Sequence, residues 1–143
     1  MAYIIDTGVL VVAPISIGEL FDKISILSIK IERINDEAKV AHAQTELTQL
    51  EALRSQVVPD SGLIDVRYRE LLEVNGRLWD IEDAIRLKEN AQIFDEEFVE
   101  LARSVYKQND IRAEIKRTIN NAFGSAIVEV KSYPSIVSVT RAE

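Results

Sequence analysis

No cysteine occurs among the 143 residues, which excludes disulfides, thiolate nucleophiles and thiolate metal sites. The one histidine, His42, lies in a polar helical stretch (AKVAHAQTE) and reads as a surface residue rather than a ligand or base. Three prolines and five glycines leave few places where a helix must stop, so the long runs of Glu, Lys, Leu, Ile and Ala point to a mainly α chain. Basic residues are outnumbered 17 to 24, a formal charge of −7, and form no stripe that could displace counterions; a nucleic-acid partner is not expected. An acidic exterior still permits a cationic cluster inside a cleft. No hydrophobic run is long enough to span a membrane, and the opening MAYIIDTGVLVVAPIS carries Asp6 without a basic leader region. The expectation is one cytoplasmic helical domain over 1–143 with no membrane partner and no cofactor.

What is present is mostly helical pattern. Residues 3–13 are β-branched and read as one or two short strands within an N-terminal segment 1–13, with a hairpin through Asp6-Thr7-Gly8. Ser16-Ile17-Gly18-Glu19 reads as a capping box that opens a first helix to about Ile34. Its apolar face is Ile17, Leu20, Phe21, Ile24, Leu27, Ile31 and Ile34. Ile26 and Ile29 lie off that face, which places the helix centrally or against a second subunit. Asn35-Asp36 turns the chain into a second helix to about Val57, with Val40, Ala43, Leu47, Leu50 and Val57 at three- and four-residue spacings. The break at Val58-Pro59-Asp60-Ser61-Gly62 precedes a third helix from near Ile64 to about Asn90, striped by Leu71, Val74, Leu78, Ile81 and Ile85. Segment 126–143 alternates around Pro134 and could add a strand to the N-terminal one, then a tail. The fold expected is an antiparallel four-helix bundle-like arrangement with a small β element from the two ends.

The fourth helix is the most informative stretch. Asp95 can cap it, Phe94 can staple onto Val99, and Gly124 offers a left-handed exit. Phe98, Leu101, Ala102, Val105, Ile119 and Phe123 share one face within roughly 100°. Asn109, Arg112, Lys116 and Asn120 fall on the same face. Polar groups on a stripe that should be apolar need partners opposite, because an unpaired buried guanidinium is strongly unfavourable. In the third helix Asn75, Trp79, Glu82 and Arg86 lie within roughly 60° of arc, beside the apolar stripe. In the first, Lys23 and Lys30 border Leu27, with Glu19 able to pair with Lys23 at i, i+4.

Two cations and two amides facing inward suit a carboxylate or phosphate. The leading expectation is therefore an interhelical cleft binding a small anionic ligand, held by Lys23, Lys30, Asn75, Arg86, Asn109, Arg112, Lys116 and Asn120. Glu19, Asp22, Trp79 and Asp83 would support it, and Glu82 would be an acid or base if burial tuned it. A second expectation is a dimeric interaction module without catalysis, with Ile26, Ile29 and Ile111 favouring self-association and a Glu82–Arg112 bridge fixing register. The third is a Mg²⁺-dependent all-α nucleotide pyrophosphohydrolase, with Glu70, Glu73, Asp80 and Asp83 as metal ligands.

The stretches SIGELFDKISILSIKIERI, NGRLWDIEDAIR and FVELARSVYKQNDIRAEIKRTIN, in that order over about residues 14–133, resemble a bacterial family of small helical proteins with no assigned function. The shared polar set is Glu19, Asp22, Lys23, Lys30, Asn75, Trp79, Glu82, Asp83, Arg86, Asn109, Asp110, Arg112, Lys116 and Asn120. The resemblance implies no reaction; some relatives accompany glycosyltransferase or cell-surface polysaccharide functions. The opening MAYIIDTGV and the tail beyond Tyr133 fall outside the shared pattern.

Overall fold

The structure is a computed structural model that describes residues 2–5 and 8–136; Met1, Asp6 and Thr7, where the hairpin turn is expected, and residues 137–143 lie outside the described residues. Strands β1 (Ala2–Ile5) and β2 (Gly8–Val11) form an antiparallel hairpin with Tyr3 opposite Leu10 and Ile4 opposite Val9. Gly8 has φ +139°, a conformation that favours glycine, at the point where the second strand begins. The C-terminal segment adds no strand among the described residues, so the β element comes from the N-terminal end alone. Glu129 within that segment pairs with Lys116, which ties the chain to a helix instead of a sheet edge.

Four helices follow: α1 (Ile17–Arg33), α2 (Glu37–Val57), α3 (Gly62–Asn90) and α4 (Glu96–Phe123). Each starts on a side-chain cap. Ser16, Asp36, Ser61 and Asp95 accept from the backbone amides of Glu19, Lys39, Ile64 and Phe98, satisfying donors that a helix start leaves open. Only half of the expected capping box forms at Ser16, because the Glu19 carboxylate is drawn across to Lys116. Phe94 packs edge-on against Phe98, ring centroids 5.2 Å apart, at the start of α4. Gly124, at φ +64°, ends α4 as expected.

The arrangement is bundle-like, with α1 at its centre. α1 touches all three other helices, whereas α2 packs on α1 alone and buries only Ala43. Val57, expected on the α2 stripe, is exposed, and its neighbour Val58 turns into the core instead. The core gathers Phe21, Val58, Ile64, Leu71, Val74, Ile115 and Ile119, with Ile17, Tyr68 and Phe123 against it. It occupies one end of the molecule. No residue of α3 after Gly76 is buried, and none of α4 before Ile115. α1 stops at Arg33, whose guanidinium reaches Asp80 at 2.6 Å, and the outer halves of α3 and α4 run on beyond it as a two-helix arm. Phe98, Leu101 and Val105 are therefore only half-buried and Ala102 is exposed, although their spacing marks them as core. Ile29 is buried and Ile26 half-buried within the α1 packing; of the three isoleucines expected on an outer face, only Ile111 is exposed.

α1 runs antiparallel to α4, as the pairs Gly18–Asn120, Glu19–Lys116 and Asp22–Arg112 show. Gly18 marks their closest approach. A Cβ there would lie 2.6 Å from the Lys116 carbonyl oxygen and 2.9 Å from Asn120 Oδ1.

Candidate functional site

The four polar residues on the inward face of α4 divide into two roles. Asn120 is buried, and its Oδ1 accepts from the Gly18 amide at 2.7 Å, capping an open donor of α1 from another helix. Lys116 is buried too. Its ammonium donates to Glu19 at 2.7 Å and Glu129 at 2.8 Å and lies 3.8 Å from Asp22. Asp22 is fully buried and accepts both donors of one edge of the Arg112 guanidinium, with Nε at 2.9 Å from Oδ1 and Nη2 on Oδ2. Asn75 Nδ2 reaches the same carboxylate at 2.9 Å and Ser25 Oγ at 2.8 Å, while that hydroxyl donates to the Asp22 carbonyl. Arg112 thus bridges to α1 and not to Glu82, because Asp22 offers a buried carboxylate in bidentate geometry. Asn109 accepts from Arg112 Nη1 at 3.4 Å and donates to the Val105 carbonyl of its own helix.

Burial alone would lower the Lys116 pKa, but its bonds to Glu129 and Glu19 outweigh that and hold it above the usual lysine value. Arg112 is raised chiefly by its bond to Asp22. Glu129 is held below the ordinary glutamate value, chiefly by Lys116. Stability from Glu129 is complete above the unfolded carboxylate pKa of about 4.3 and drains away as pH falls through its lower folded value. Stability from Lys116 is complete below the unfolded lysine value of about 10.4 and is lost as pH rises through its raised folded value. Acidification below about pH 4 should therefore free the 125–136 segment from α4 before the core unfolds. Amide exchange along that segment, compared between wild type and Glu129→Gln, checks this. Identical acid profiles would show that the Lys116 pair is not the tether.

The second role belongs to the opposite edge of Arg112. A groove of about 430 Å³ runs between α1, α3 and α4, floored by Ile26, Ile29 and Leu78. Its polar lining is Asn75, Trp79, Glu82, Asp83, Arg86 and Arg112. The helical spacing of α3 explains this: residues 75, 79, 82, 83 and 86 fall on one side of the helix, with Asn75 buried against α1 and Glu82, Asp83 and Arg86 exposed farther along. Glu82 and Arg86 pair with each other at 3.3 Å, both exposed. Glu82 is exposed, so the burial on which a role as acid or base depended is absent. Asp83 has no ion pair with a described residue. The Arg33 guanidinium, 6.0 Å from the Trp79 ring centroid, flanks the indole while pairing with Asp80.

Lys23 and Lys30 are half-buried and pair with no described residue. They stand within roughly 60° of Ile26 around α1 and are not part of the groove's lining. Of the thirteen residues singled out from sequence, six line the groove; Glu19, Asp22, Lys116 and Asn120 belong to the buried network, and Asn109 steadies Arg112. Sequence reading missed Ser25, Glu129 and Arg33. Ser25 could have been found as a polar residue on a buried face, whereas nothing local marks Glu129. The carboxylates of the metal-dependent reading are dispersed: Glu70 pairs with Arg67, Glu73 with Arg77 and Asp80 with Arg33. Among the described residues no three acids gather as a metal site, and no helix is long and apolar enough to cross a membrane.

Fold and groove define a helical protein in which a buried ionic network joins α1 to α4 beside an open amphipathic groove. The chain belongs to a family of unknown function (DUF6165), whose family model matches residues 11–142. Neither the curated proteins nor the solved structures contain a match.

Proposed function

We propose that the α1–α3–α4 groove binds a small molecule carrying a carboxylate or phosphate. The observation that carries this is the convergence of Arg86 and Arg112 with Asn75 and Trp79 on one groove, over an apolar floor. Asp22 occupies one edge of the Arg112 fork and leaves donors on the other, and among the described residues Arg86 is held by a single surface pair, with Glu82, that an incoming anion can replace. Lys23 and Lys30, outside the lining, add attraction for an anion. Trp79 and the three aliphatic side chains would take the uncharged remainder of the ligand, while Glu82 and Asp83 would accept from its hydroxyl or amino groups. Sugar phosphates are one class with both features, in keeping with the polysaccharide link that the family resemblance implies.

Trp79 is the sole tryptophan, so its fluorescence reports on the groove directly. Titration with inorganic phosphate, a dicarboxylate and a sugar phosphate is expected to change its emission saturably for at least one of them. Arg86→Ala should weaken that binding by about 10- to 100-fold, the value of a lost charge-assisted hydrogen bond, without lowering the melting temperature. Silence of Trp79 and an unmoved melting temperature with all three probes would refute the reading.

A further inference from the structure

One flank of the inward stripe of α4 carries a pattern that lines no part of the groove. Val99, Ala102, Tyr106, Asn109 and Ala113 are spaced three, four, three and four apart, the narrow seam of a coiled coil rather than a broad core-facing stripe. Val99 and Tyr106 are 50% and 43% exposed, and Ala102 is exposed as well. Farther along, Tyr106, Asn109 and Asp110 share a space of about 490 Å³ with Lys131, Tyr133, Pro134 and Ile136 of the C-terminal segment, so the seam has a wall on one side, and among the described residues no helix is seated on it.

Charge on its flank says what fits there. Arg103 and Asp110 each follow a seam position by one residue and stand on the same side, two turns apart. Arg103 pairs with Glu100 of its own helix at 2.6 Å, an exposed pair of small value. Asp110 pairs with no described residue. When two copies of this seam are laid antiparallel about a two-fold axis, Tyr106 meets Asn109 across the interface. Arg103 of each copy then falls opposite Asp110 of the other, twice by symmetry. A parallel pairing would set Arg103 against Phe98 and Asp110 against Val105, leaving both charges unmatched.

We propose that the chain forms a two-fold dimer through this face of α4, with the helices antiparallel and reciprocal Arg103–Asp110 pairs fixing the register. The seam spans about 21 Å, so the interface sits at the small end for a specific contact and the dimer is concentration-dependent. The seam residues do not line the groove; Asn109 touches the groove's Arg112 at Nη1, 3.4 Å away, and is left unsubstituted in the test.

Sedimentation velocity on the full chain over a dilution series tests it. The wild type is expected to move from twice the chain mass to the chain mass on dilution. Asp110→Arg, which faces Arg103 with a like charge, should raise the dissociation midpoint by about tenfold or more. Arg103→Asp combined with Asp110→Arg should restore it, which only antiparallel self-pairing predicts. Tyr106→Asp should abolish association. All these positions are exposed or half-buried, so unchanged melting temperatures will show that the variants are folded. A chain that is monomeric at every concentration, including one whose seam serves a different helical partner, overturns the proposal. So does a dimer indifferent to Tyr106→Asp and Asp110→Arg, or a double swap no better than the single one.

Discussion

Asp22→Ala is expected to destabilise the protein by about 3 kcal/mol, lowering the melting temperature by roughly 10 °C or more. The carboxylate is fully buried and gathers Arg112, Asn75 and the nearby Lys116 ammonium. Deleting it leaves two cations and an amide facing a cavity without their acceptor. The lower end of the usual range for breaking a buried pair, about 3–5 kcal/mol, applies because Arg112 keeps an edge at the groove and can turn toward water. Urea unfolding of Asp22→Ala, Arg112→Ala and the double variant forms the decisive cycle. The double variant should cost clearly less than the sum of the singles, since each single strands the other's charge. A loss below 1 kcal/mol for Asp22→Ala, or strict additivity, would mean that the network is not what joins α1 to α4.

Gly18→Ala is expected to destabilise by about 2 kcal/mol, against the direction that helix propensity alone gives. An alanine inside a helix is favoured over glycine by about 1 kcal/mol. At Gly18 the added methyl meets the Lys116 backbone carbonyl at 2.6 Å, and backbone cannot swing aside as a side chain tip can. Relief requires α1 and α4 to separate, loosening the bond from the Gly18 amide to Asn120 and costing about 1–3 kcal/mol of strain beyond the propensity gain. Gly76→Ala is the matched control. It lies inside α3 with only the flexible Arg33 Nη2 at 3.5 Å, so the same substitution should stabilise by about 0.5–1 kcal/mol. Denaturant midpoints that shift the same way for both would deny the close contact between the helices.

The grouping of the candidate residues was legible in the sequence where one helix carried the whole pattern. The spacing of Asn75, Trp79, Glu82, Asp83 and Arg86 puts them together on α3 whatever surrounds them, and the groove is where they lie. It was not legible where the outcome depended on a second helix. Arg112 and Lys116 looked alike, four residues apart on one face. Asp22 took one edge of the first and left the other to the groove, while Glu19 and Glu129 enclosed the second. Glu129 lies in a stretch with strand-like alternation, and no periodicity announces that it will reach back to a lysine thirteen residues earlier.

By itself the sequence determined the four helices and their caps at Ser16, Asp36 and Asp95, because periodicity and capping are local and summed along each segment; the cap at Ser61 and the central place of α1 came from the structure. Only the tertiary structure decided that the core fills one end, that α3 and α4 outrun α1, and that a polar face becomes a buried tie at Lys116 but an open groove at Arg86. Those outcomes hang on where α1 stops relative to its neighbours and on which carboxylate is nearest in space, quantities that no single helix encodes.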